Sequence, residues 1–330
     1  MGEPRSPPRT ALVGVGALGS VFAAVYREAG VEVTLVEKDP ERLGLLRSGQ
    51  AVVRFPDGTA RPLDAPAVGY PLPPGLGPFD LVHVSVKGYD TAGAARDIRP
   101  LVGPDTLVLS VQNGLGNLEV LAGAFGPGRV VGGITAHSAQ RLPSGEVRYV
   151  GGKGPLLAVG PVSPSPHPRL APLLFGLKRA LEARGYAVEI VPDIEPVRWR
   201  KLLANVSTNP VAAITGRTAE QMLASPHVCR LIDLLAEEAA AVARARGLSF
   251  PELDSPGEFC RWALSGVGPN KISMLQDVEA RRPTEIGCLN EAVHAEGELR
   301  GVPCHAHRTV ALLVRAIEEE YLLPGNPQPG

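Results

Sequence analysis

The chain has 330 residues, of which 44% are hydrophobic, and its formal net charge at pH 7 is −1. This length is more than one hydrophobic core usually serves, so we expect two domains. The balanced charge provides no positive field for nucleic acid or an anionic membrane surface, so the expected ligands are small molecules.

The sequence predicts neither a metal site nor export from the cell. Its four cysteines lie far apart, without the spacing of a zinc site or a disulfide framework. We therefore expect no metal and a cytoplasmic location. Arg5 and Arg9 before the uncharged residues 10–26 resemble a secretory signal, but patterned glycines and a following strand argue against one. No other stretch has the ~18 apolar residues of a membrane helix.

A strand, a glycine-rich turn and a helix follow one another near the N-terminus. "TALVGVG" reads as a buried strand, residues 18–29 as a helix, and "VEVTLVEKD" as a second strand, which together make a βαβ unit. The glycines match G-x-G-x-x-G, in which they allow a tight turn, close approach to a pyrophosphate and close helix packing. The amides at the helix start would face the phosphates. We expect the dinucleotide-binding loop to consist of Gly14, Val15, Gly16, Ala17, Leu18 and Gly19.

Two adjacent residues at the end of the second strand give opposite indications about the cofactor. Glu37 stands where a carboxylate would accept a hydrogen bond from a ribose 2′-hydroxyl, which favours NAD. Lys38 could instead pair with the 2′-phosphate of NADP. Because side chains alternate along a strand, only one of the two points inward. The residues alone leave both cofactors open.

Later strands also end in polar residues. The predicted strand in "FDLVHVSVKGYD" ends at Lys87, and the one in "DTLVLSVQNGLGN" ends at Asn113. Ligands of open α/β sheets gather at the carboxyl ends of strands, so both residues are candidates, although a loop lysine and an Asn-Gly turn are also common in themselves. "RVVGGITAHSAQ" is a further strand with residues 137–139 at its end, and we interpret His137 there as structural.

The second half of the chain is predicted to be helical. "GEVRYVGGKGPLLAVGP" reads as a hairpin that closes the sheet, and "YAVEIVPDIEP" as the last strand. Helical periodicity follows from Val197 onward. We predict a Rossmann-type doubly wound domain over residues 9–195, an all-α substrate and dimerisation domain over 196–321, and disordered tails at 1–8 and 322–330. Large apolar helix faces favour a homodimer.

The segment "RWRKLLANVSTNP" places Lys201, Asn205 and Asn209 at four-residue spacing. Each step turns about 40° around a helix, so the three side chains form one slowly drifting polar stripe. Apolar residues surround Lys201, which favours the wall of a cleft over a solvated face. A second group, Asp277 with Glu279, Arg281 and Arg282, reads as a surface charge run.

Five blocks of this sequence resemble the ketopantoate reductase (2-dehydropantoate 2-reductase) family. They are "GVGALG", "VKGYD", "QNGLGN", "WRKLLANVSTNP" and "NKISMLQDVEARRPTEI". The resemblance implies a Rossmann domain joined to an all-helical domain, with NADPH and substrate in the cleft between them. It also implies reduction of the ketone of a branched 2-oxo acid to a 2-hydroxy acid, (R)-pantoate. NADP is therefore the expected cofactor, with NAD as the alternative because of Glu37.

The resemblance also implies roles for individual residues. A ketone that accepts hydride becomes an alkoxide, which must be protonated; Lys201 is the candidate acid and Glu285 the carboxylate beside it. Burial should lower the pKa of the Lys201 ammonium, while a nearby carboxylate should raise it. The expected cofactor contacts outside the glycine loop are Lys38, Lys87, Asn113, Ala139 and Glu285. The expected substrate contacts are Asn113, Lys201, Asn205, Asn209, and Asn270 with Ser273 on one helical face.

The sequence leaves two alternatives open. The chain could reduce another 2-oxo acid or an imine, since related reductases share these blocks. It could also be a dinucleotide-binding sensor without turnover, although Lys201 and Glu285 are both present. One departure concerns the stretch "TGRTAEQ", residues 215–221, where the family often carries an Asn-Gly contact.

Overall fold

The computed structural model describes residues 7–142 and 144–323. The chain divides into two compact units, the first formed by Met1–Gln112 and Asn117–Ile194, the second by Asn113–Gly116 and Glu195–Gly330. Residues 1–6 and 324–330, which fall in the predicted tails, lie outside the described residues.

The first unit is built on an eight-stranded, mostly parallel sheet. Its strands, numbered in chain order, are β1 (Thr10–Val13), β2 (Val33–Val36), β5 (Ala67–Val68), β6 (Leu81–Val84), β7 (Leu107–Ser110), β8 (Val130–Ile134), β11 (Leu157–Pro161) and β12 (Val188–Ile190). Their order in the sheet is β12-β11-β8-β7-β6-β1-β2-β5, and β11 runs antiparallel to β8. The central strands are continuously buried, as expected for a parallel sheet covered on both faces.

Within the described part of this unit, five α-helices accompany the sheet: α1 (Ala17–Glu28), α2 (Pro40–Arg47), α3 (Thr91–Asp97), α4 (Asn117–Phe125) and α5 (Leu170–Glu182). The first βαβ unit is formed as predicted, because β1 and β2 pair in parallel on either side of α1 in the chain. The reversal of strand order next to β1 places the carboxyl end of β1 at the position where doubly wound sheets bind ligands.

A second sheet was not foreseen. It has four strands, β3 (Val52–Arg54), β4 (Ala60–Pro62), β9 (Ser138–Arg141) and β10 (Val147–Gly151), in the order β4-β3-β10-β9. The predicted hairpin that closes the main sheet is therefore wrong: its first half, β10, pairs with β9 and β3, and its second half is β11 of the main sheet. The burial patterns explain the separation, since β10 alternates buried and exposed side chains whereas β11 is buried almost throughout.

The second unit is all-helical. Its helices are α6 (Glu195–Thr215), α7 (Ala219–Leu223), α8 (Pro226–Ala245), α9 (Pro256–Ser265), α10 (Ser273–Glu279), α11 (Ala292–Leu299) and α12 (His305–Leu322). A single π turn, Gly287–Glu291, precedes α11. Helix α6 packs against α8, α9, α10 and α12 and buries Trp199 completely, so it is the central helix of this unit. The predicted fold class, a Rossmann-type sheet followed by helices, is confirmed.

No helix within residues 7–142 and 144–323 is both long enough and apolar enough to cross a membrane.

The packing of α1 against the end of β1 depends on Gly19. A Cβ atom added to this glycine would lie 2.1 Å from the carbonyl oxygen of Gly14, which is backbone and cannot rotate away. Gly14 itself has a φ of +89°, a conformation that residues with side chains rarely adopt. The first turn of α1 can therefore approach β1 this closely only while residue 19 has no side chain.

We expect Gly19→Ala to lower the free energy of unfolding by about 1–3 kcal/mol, because the added methyl group must displace backbone. The matched control is Gly44→Ala: Gly44 lies inside α2 and a Cβ there meets no atom within 4 Å. This control should raise the free energy of unfolding by about 0.5–1 kcal/mol through the better helix propensity of alanine. Urea unfolding followed by circular dichroism measures both. Equal effects of the two substitutions would contradict the packing argument.

Candidate active site

The glycine loop of the first unit has the geometry of an anion site. It links β1 to α1, whose N-cap residue Gly16 is exposed and has open space where a Cβ would lie. Among the residues that the structure describes, no side chain caps α1, and the first turn of α1 contains no acidic residue. The first-turn amides of Ala17, Leu18 and Gly19 can therefore donate to a phosphate. This loop fits the pyrophosphate of a dinucleotide.

Glu37 is the member of the Glu37–Lys38 pair that faces the glycine loop. Glu37 is only 7% exposed, and its Oε2 accepts a hydrogen bond from the Val15 amide at 2.8 Å. Its Oε1 accepts from the amides of Lys38 and Asp39 at 2.8 and 3.0 Å. A carboxylate is thus fixed beside the loop, at the end of β2.

Lys38 points to the other side. Its side chain is 61% exposed and its Nζ lies 2.6 Å from a carboxylate oxygen of Asp90.

Lys87 is the N-cap of the short 3-10 turn Gly88–Asp90, after β6. Ala139 lies inside β9 and pairs with Tyr149, so its predicted position at the end of the preceding strand is wrong; the chain bends after β8 and begins a new strand. His137 hydrogen-bonds the Tyr149 hydroxyl.

Arg42 also shapes the glycine loop, and the sequence did not indicate it. This arginine is 1% exposed, donates from Nε to the Val15 carbonyl at 3.1 Å, and donates to Ser20 Oγ at 2.8 Å. It also reaches the carbonyl of Gly145 at 2.7 Å. Burial lowers the pKa of Arg42. Since its partners are remote in the chain, only the fold reveals that Glu37 and Arg42 hold the two polar atoms of one peptide residue, Val15.

Four of the predicted site residues meet in the second unit. The Lys201 ammonium donates a hydrogen bond to Asn113 Oδ1 at 2.7 Å, and Asn205 Nδ2 lies 3.5 Å from the same oxygen. On its other side, Asn113 Nδ2 lies 3.5 Å from Glu285 Oε2. Three separate segments therefore contribute to one polar cluster, in which the amide of Asn113 lies between the cation and the carboxylate.

Short backbone contacts position this cluster. The Leu115 amide donates to the Cys288 carbonyl at 2.8 Å, which holds the loop 113–116 against the π turn. Gly114 has a φ of +85°, and a Cβ on it would lie 2.2 Å from that same carbonyl oxygen. Glu285 is buried just before the π turn, and the amide of its neighbour Thr284 donates to the buried carboxylate of Glu318 at 2.6 Å.

The environment of Lys201 adjusts its acidity toward neutral pH. Removal from water lowers the pKa of its ammonium to about 8, and the charge of Glu285 acts in the opposite direction. An ammonium with this pKa is a much better proton donor than a solvated lysine, yet it is largely protonated near pH 7. Asn113 orients it through a neutral oxygen. The cluster can deliver a proton to an oxygen that becomes negative.

The other predicted substrate residues are not part of this hydrogen-bonded cluster. Asn209 is buried on α6, and Thr208 Oγ1 lies 3.5 Å from its Oδ1. Asn270 and Ser273 are exposed, and they do not share a helical face as predicted, because α10 begins only at Ser273. The Asn270 side chain instead donates to the Val267 carbonyl at 2.9 Å.

The segment 215–221 has a structural part in the second unit. Gly216, with a φ of +65°, follows the end of α6. Thr218 and Gln221 then form a capping box that begins α7. The Ala219 amide donates to the Asn270 carbonyl at 3.4 Å. This segment therefore supports the backbone at Asn270.

The predicted surface charge run is wrong for Asp277. This residue is only 3% exposed, and its Oδ1 accepts hydrogen bonds from Nε and Nη2 of Arg282 at 3.2 and 3.0 Å. The helix α10 turns it inward, and the paired arginine satisfies its charge. Asp277 and Arg282 thus brace the segment that leads to Glu285.

Known proteins resemble this chain over most of its length. The family described as "Ketopantoate reductase PanE/ApbA" matches residues 10–162, and its C-terminal family matches residues 193–318. A 2-dehydropantoate 2-reductase of Halobacterium salinarum is 32% identical over 94% of this chain and 99% of its own. A second, of Archaeoglobus fulgidus, is 30% identical over 94% of this chain and 98% of its own.

Solved structures share the architecture. The PanE/ApbA family ketopantoate reductase of Ralstonia eutropha is 26% identical, covers 95% of this chain and 100% of its own, and has a TM-score of 0.83. A D-mandelate dehydrogenase, solved with NADH and anilino(oxo)acetate, has a TM-score of 0.86 at 22% identity, over 95% of this chain and 99% of its own. The match of family and fold over nearly the full length shows that this chain belongs to the ketopantoate reductase family.

Proposed function

We propose that this protein is a nicotinamide-dependent reductase that converts 2-dehydropantoate to (R)-pantoate, with Lys201 as the general acid. The observation that carries the proposal is the hydrogen-bonded group Lys201, Asn113 and Glu285, in which a half-buried ammonium has a pKa of about 8. Its support is twofold: two relatives that are 30% and 32% identical are 2-dehydropantoate 2-reductases, and the chemistry of ketone reduction needs such a donor.

The reaction places one demand on the protein besides binding. Held by the glycine loop, a reduced nicotinamide would supply hydride to the ketone carbon, and the ketone oxygen would then become negative. Lys201 donates a proton from Nζ to that oxygen as the charge forms, and solvent later returns a proton to the amine. Glu285 favours the charged ammonium, while Asn113 orients it.

The remaining polar residues are proposed as substrate contacts, and they lie at different places relative to the cluster. Asn205 is supported by its position 3.5 Å from Asn113 Oδ1, within the cluster. Asn209 lies one turn further along α6, and Asn270 and Ser273 are exposed donors before and at the start of α10. Neutral amide and hydroxyl donors suit a substrate carboxylate, because they orient an anion without competing for the lysine.

We propose that the cofactor is held by the glycine loop and that Glu37 makes NADH the preferred form. The carboxylate of Glu37 is fixed at the end of β2, where it can accept a hydrogen bond from a ribose 2′-hydroxyl but would repel a 2′-phosphate. Lys38, the residue that would favour NADPH, is turned outward onto Asp90. The geometry thus supports the alternative cofactor over the one expected from the family resemblance. Lys87 and Ala139 stay proposed cofactor contacts.

A second candidate is reduction of a different 2-oxo acid. It is favoured by the D-mandelate dehydrogenase structures, which share the fold and which were solved with NADH. The same cluster would serve either substrate, since both reactions protonate an alkoxide. A homodimer and a cytoplasmic location stay predictions.

The first test measures turnover. We expect the purified protein to oxidise NADH or NADPH, followed at 340 nm, when given 2-dehydropantoate, and more slowly with other 2-oxo acids. Lys201→Ala should lower kcat by about 10²–10⁴-fold, as for loss of a general acid, with unchanged cofactor affinity. Lys178→Ala is the control, because Lys178 pairs with Glu182 on α5 of the first unit. A Lys201→Ala variant with wild-type kcat would remove the assignment.

The second test is the pH dependence of the rate. Lys201 must be protonated to act as an acid, so kcat for reduction should be high below its pKa of about 8 and fall as the pH rises through it. Oxidation of the hydroxy acid should show the opposite trend. Glu285→Gln removes the charge that raises the pKa of Lys201, so the fall should move to lower pH. A kcat that is constant from about pH 6.5 to 9.5 is incompatible with this mechanism.

The third test concerns the cofactor. Glu37→Gln keeps a hydrogen-bond acceptor for the Val15 amide but removes the charge, so we expect it to shift the ratio of NADPH to NADH affinities toward NADPH by about tenfold. Lys38→Ala is the comparison and should leave the ratio unchanged. Titration by quenching of protein fluorescence measures both without turnover. If Lys38→Ala alone abolishes NADPH binding, the assignment of selectivity to Glu37 is wrong.

A further inference from the structure

Helix α6, which carries Lys201 and Asn205, contains a proline in its interior. Pro210 has no amide hydrogen, so it cannot donate to the carbonyl of Val206, its normal partner four residues earlier. Val206 is completely buried, and Pro210 is buried as well. The carbonyl therefore cannot turn to water, and another donor must satisfy it.

Asn290 supplies that donor. Its Nδ2 lies 2.8 Å from the Val206 carbonyl oxygen, and the residue is 0% exposed. The same Nδ2 lies 3.0 Å from Nδ1 of His307, whose Nε2 lies 2.9 Å from the Leu235 carbonyl. Because a carbonyl only accepts, Nε2 carries the proton and Nδ1 accepts from Asn290. Burial lowers the pKa of His307 to about 4, so its ring stays neutral and fixes the orientation of the amide.

Asn290 links the helix that carries Lys201 to the segment that follows Glu285. It is the fourth residue of the π turn Gly287–Glu291 and lies five residues after Glu285. Its side-chain amide donates to the Val206 carbonyl of α6. Val206 follows Asn205 directly and precedes Asn209, the next residue of the polar stripe. The same π turn holds the Asn113 loop through the Cys288 carbonyl. One short segment is therefore bonded both to the helix of Lys201 and to the loop of Asn113.

We propose that Asn290 is a positioning residue: by replacing the hydrogen bond that Pro210 removes from α6, it holds the helix of Lys201 against the segment that carries Glu285. The proline removes the intrahelical donor of the buried Val206 carbonyl, so a donor from outside the helix must satisfy it, and the π turn provides that donor. The effect on catalysis rests on the proposed function, whereas the hydrogen bond and its effect on the lysine do not.

The test restores the missing amide from within the helix. Asn290→Leu keeps approximate size but removes the donor, Pro210→Ala returns a backbone N–H to Val206, and the double variant combines them. Two quantities are measured: the pKa of Lys201, from the pH titration of its Cε signal in protein labelled with [13C]lysine, and kcat with KM for reduction. The chain has six lysines, so Lys201→Arg assigns the signal by its loss.

We expect Asn290→Leu to raise the pKa of Lys201 toward that of free lysine, since burial is the larger influence on it and a loosened site admits water. The same variant should lower kcat at least tenfold with little change in KM for the cofactor. Pro210→Ala alone should resemble the wild type. The double variant should return both quantities to within about twofold, or half a pH unit, of the wild type.

Three results decide the matter. An Asn290→Leu chain that folds only together with Pro210→Ala is also rescue and supports the proposal. A double variant that is no better than Asn290→Leu, or an Asn290→Leu variant with wild-type kcat and Lys201 pKa, overturns it. If the wild type reduces no 2-oxo acid, the proposed function fails, and the lysine titration still decides whether Asn290 positions α6.

Discussion

The site in the second unit depends on one constraint. The ammonium of Lys201 is removed from water and must still keep its proton. Burial lowers the pKa of Lys201 to about 8, and the charge of Glu285 acts in the opposite direction. A direct salt bridge would stabilise the cation strongly and make it a poor acid. Here Asn113 lies between the two groups, accepting from Lys201 and donating toward Glu285. The amide transmits orientation without joining the charges, so the lysine stays both positioned and acidic.

This arrangement requires backbone precision from three segments that are distant in sequence. Asn113 belongs to a four-residue loop that groups with the helical unit, although the residues on either side of it belong to the sheet. The loop is fixed by the Leu115–Cys288 hydrogen bond and by the close contact of Gly114, where no side chain fits. Asp277 with Arg282, and Glu318 with the Thr284 amide, brace the segment that leads to Glu285. The buried carboxylates of Asp277 and Glu318 thus fix the backbone, and each has a partner that offsets its removal from water.

Sequence patterns predicted the elements whose signals are local. The glycine spacing after a strand indicated the βαβ unit, and four-residue spacing indicated the stripe of Lys201 and Asn205. Patterns failed where burial is decided by distant neighbours. The strands of the small sheet are short and carry exposed residues such as those of Ala60–Pro62, so their pairing is visible only in three dimensions. Asp277 looks like a surface acid until Arg282 is seen to cover it, and Arg42 is buried only because the fold brings Val15, Ser20 and Gly145 to it.

The glycine loop shows the same use of opposite charges at a smaller scale. The amide of Val15 donates to Glu37 and its carbonyl accepts from Arg42, so both polar atoms of one loop residue are fixed before any ligand arrives. A loop held this way loses little conformational entropy on binding a pyrophosphate, which is the advantage of a preorganised site. The same bonds keep the carboxylate of Glu37 in place, because turning it away would leave the Val15 amide without its partner. The cofactor selection proposed for Glu37 is therefore tied to the integrity of the loop, because any substitution of residue 37 must still supply an acceptor for the Val15 amide.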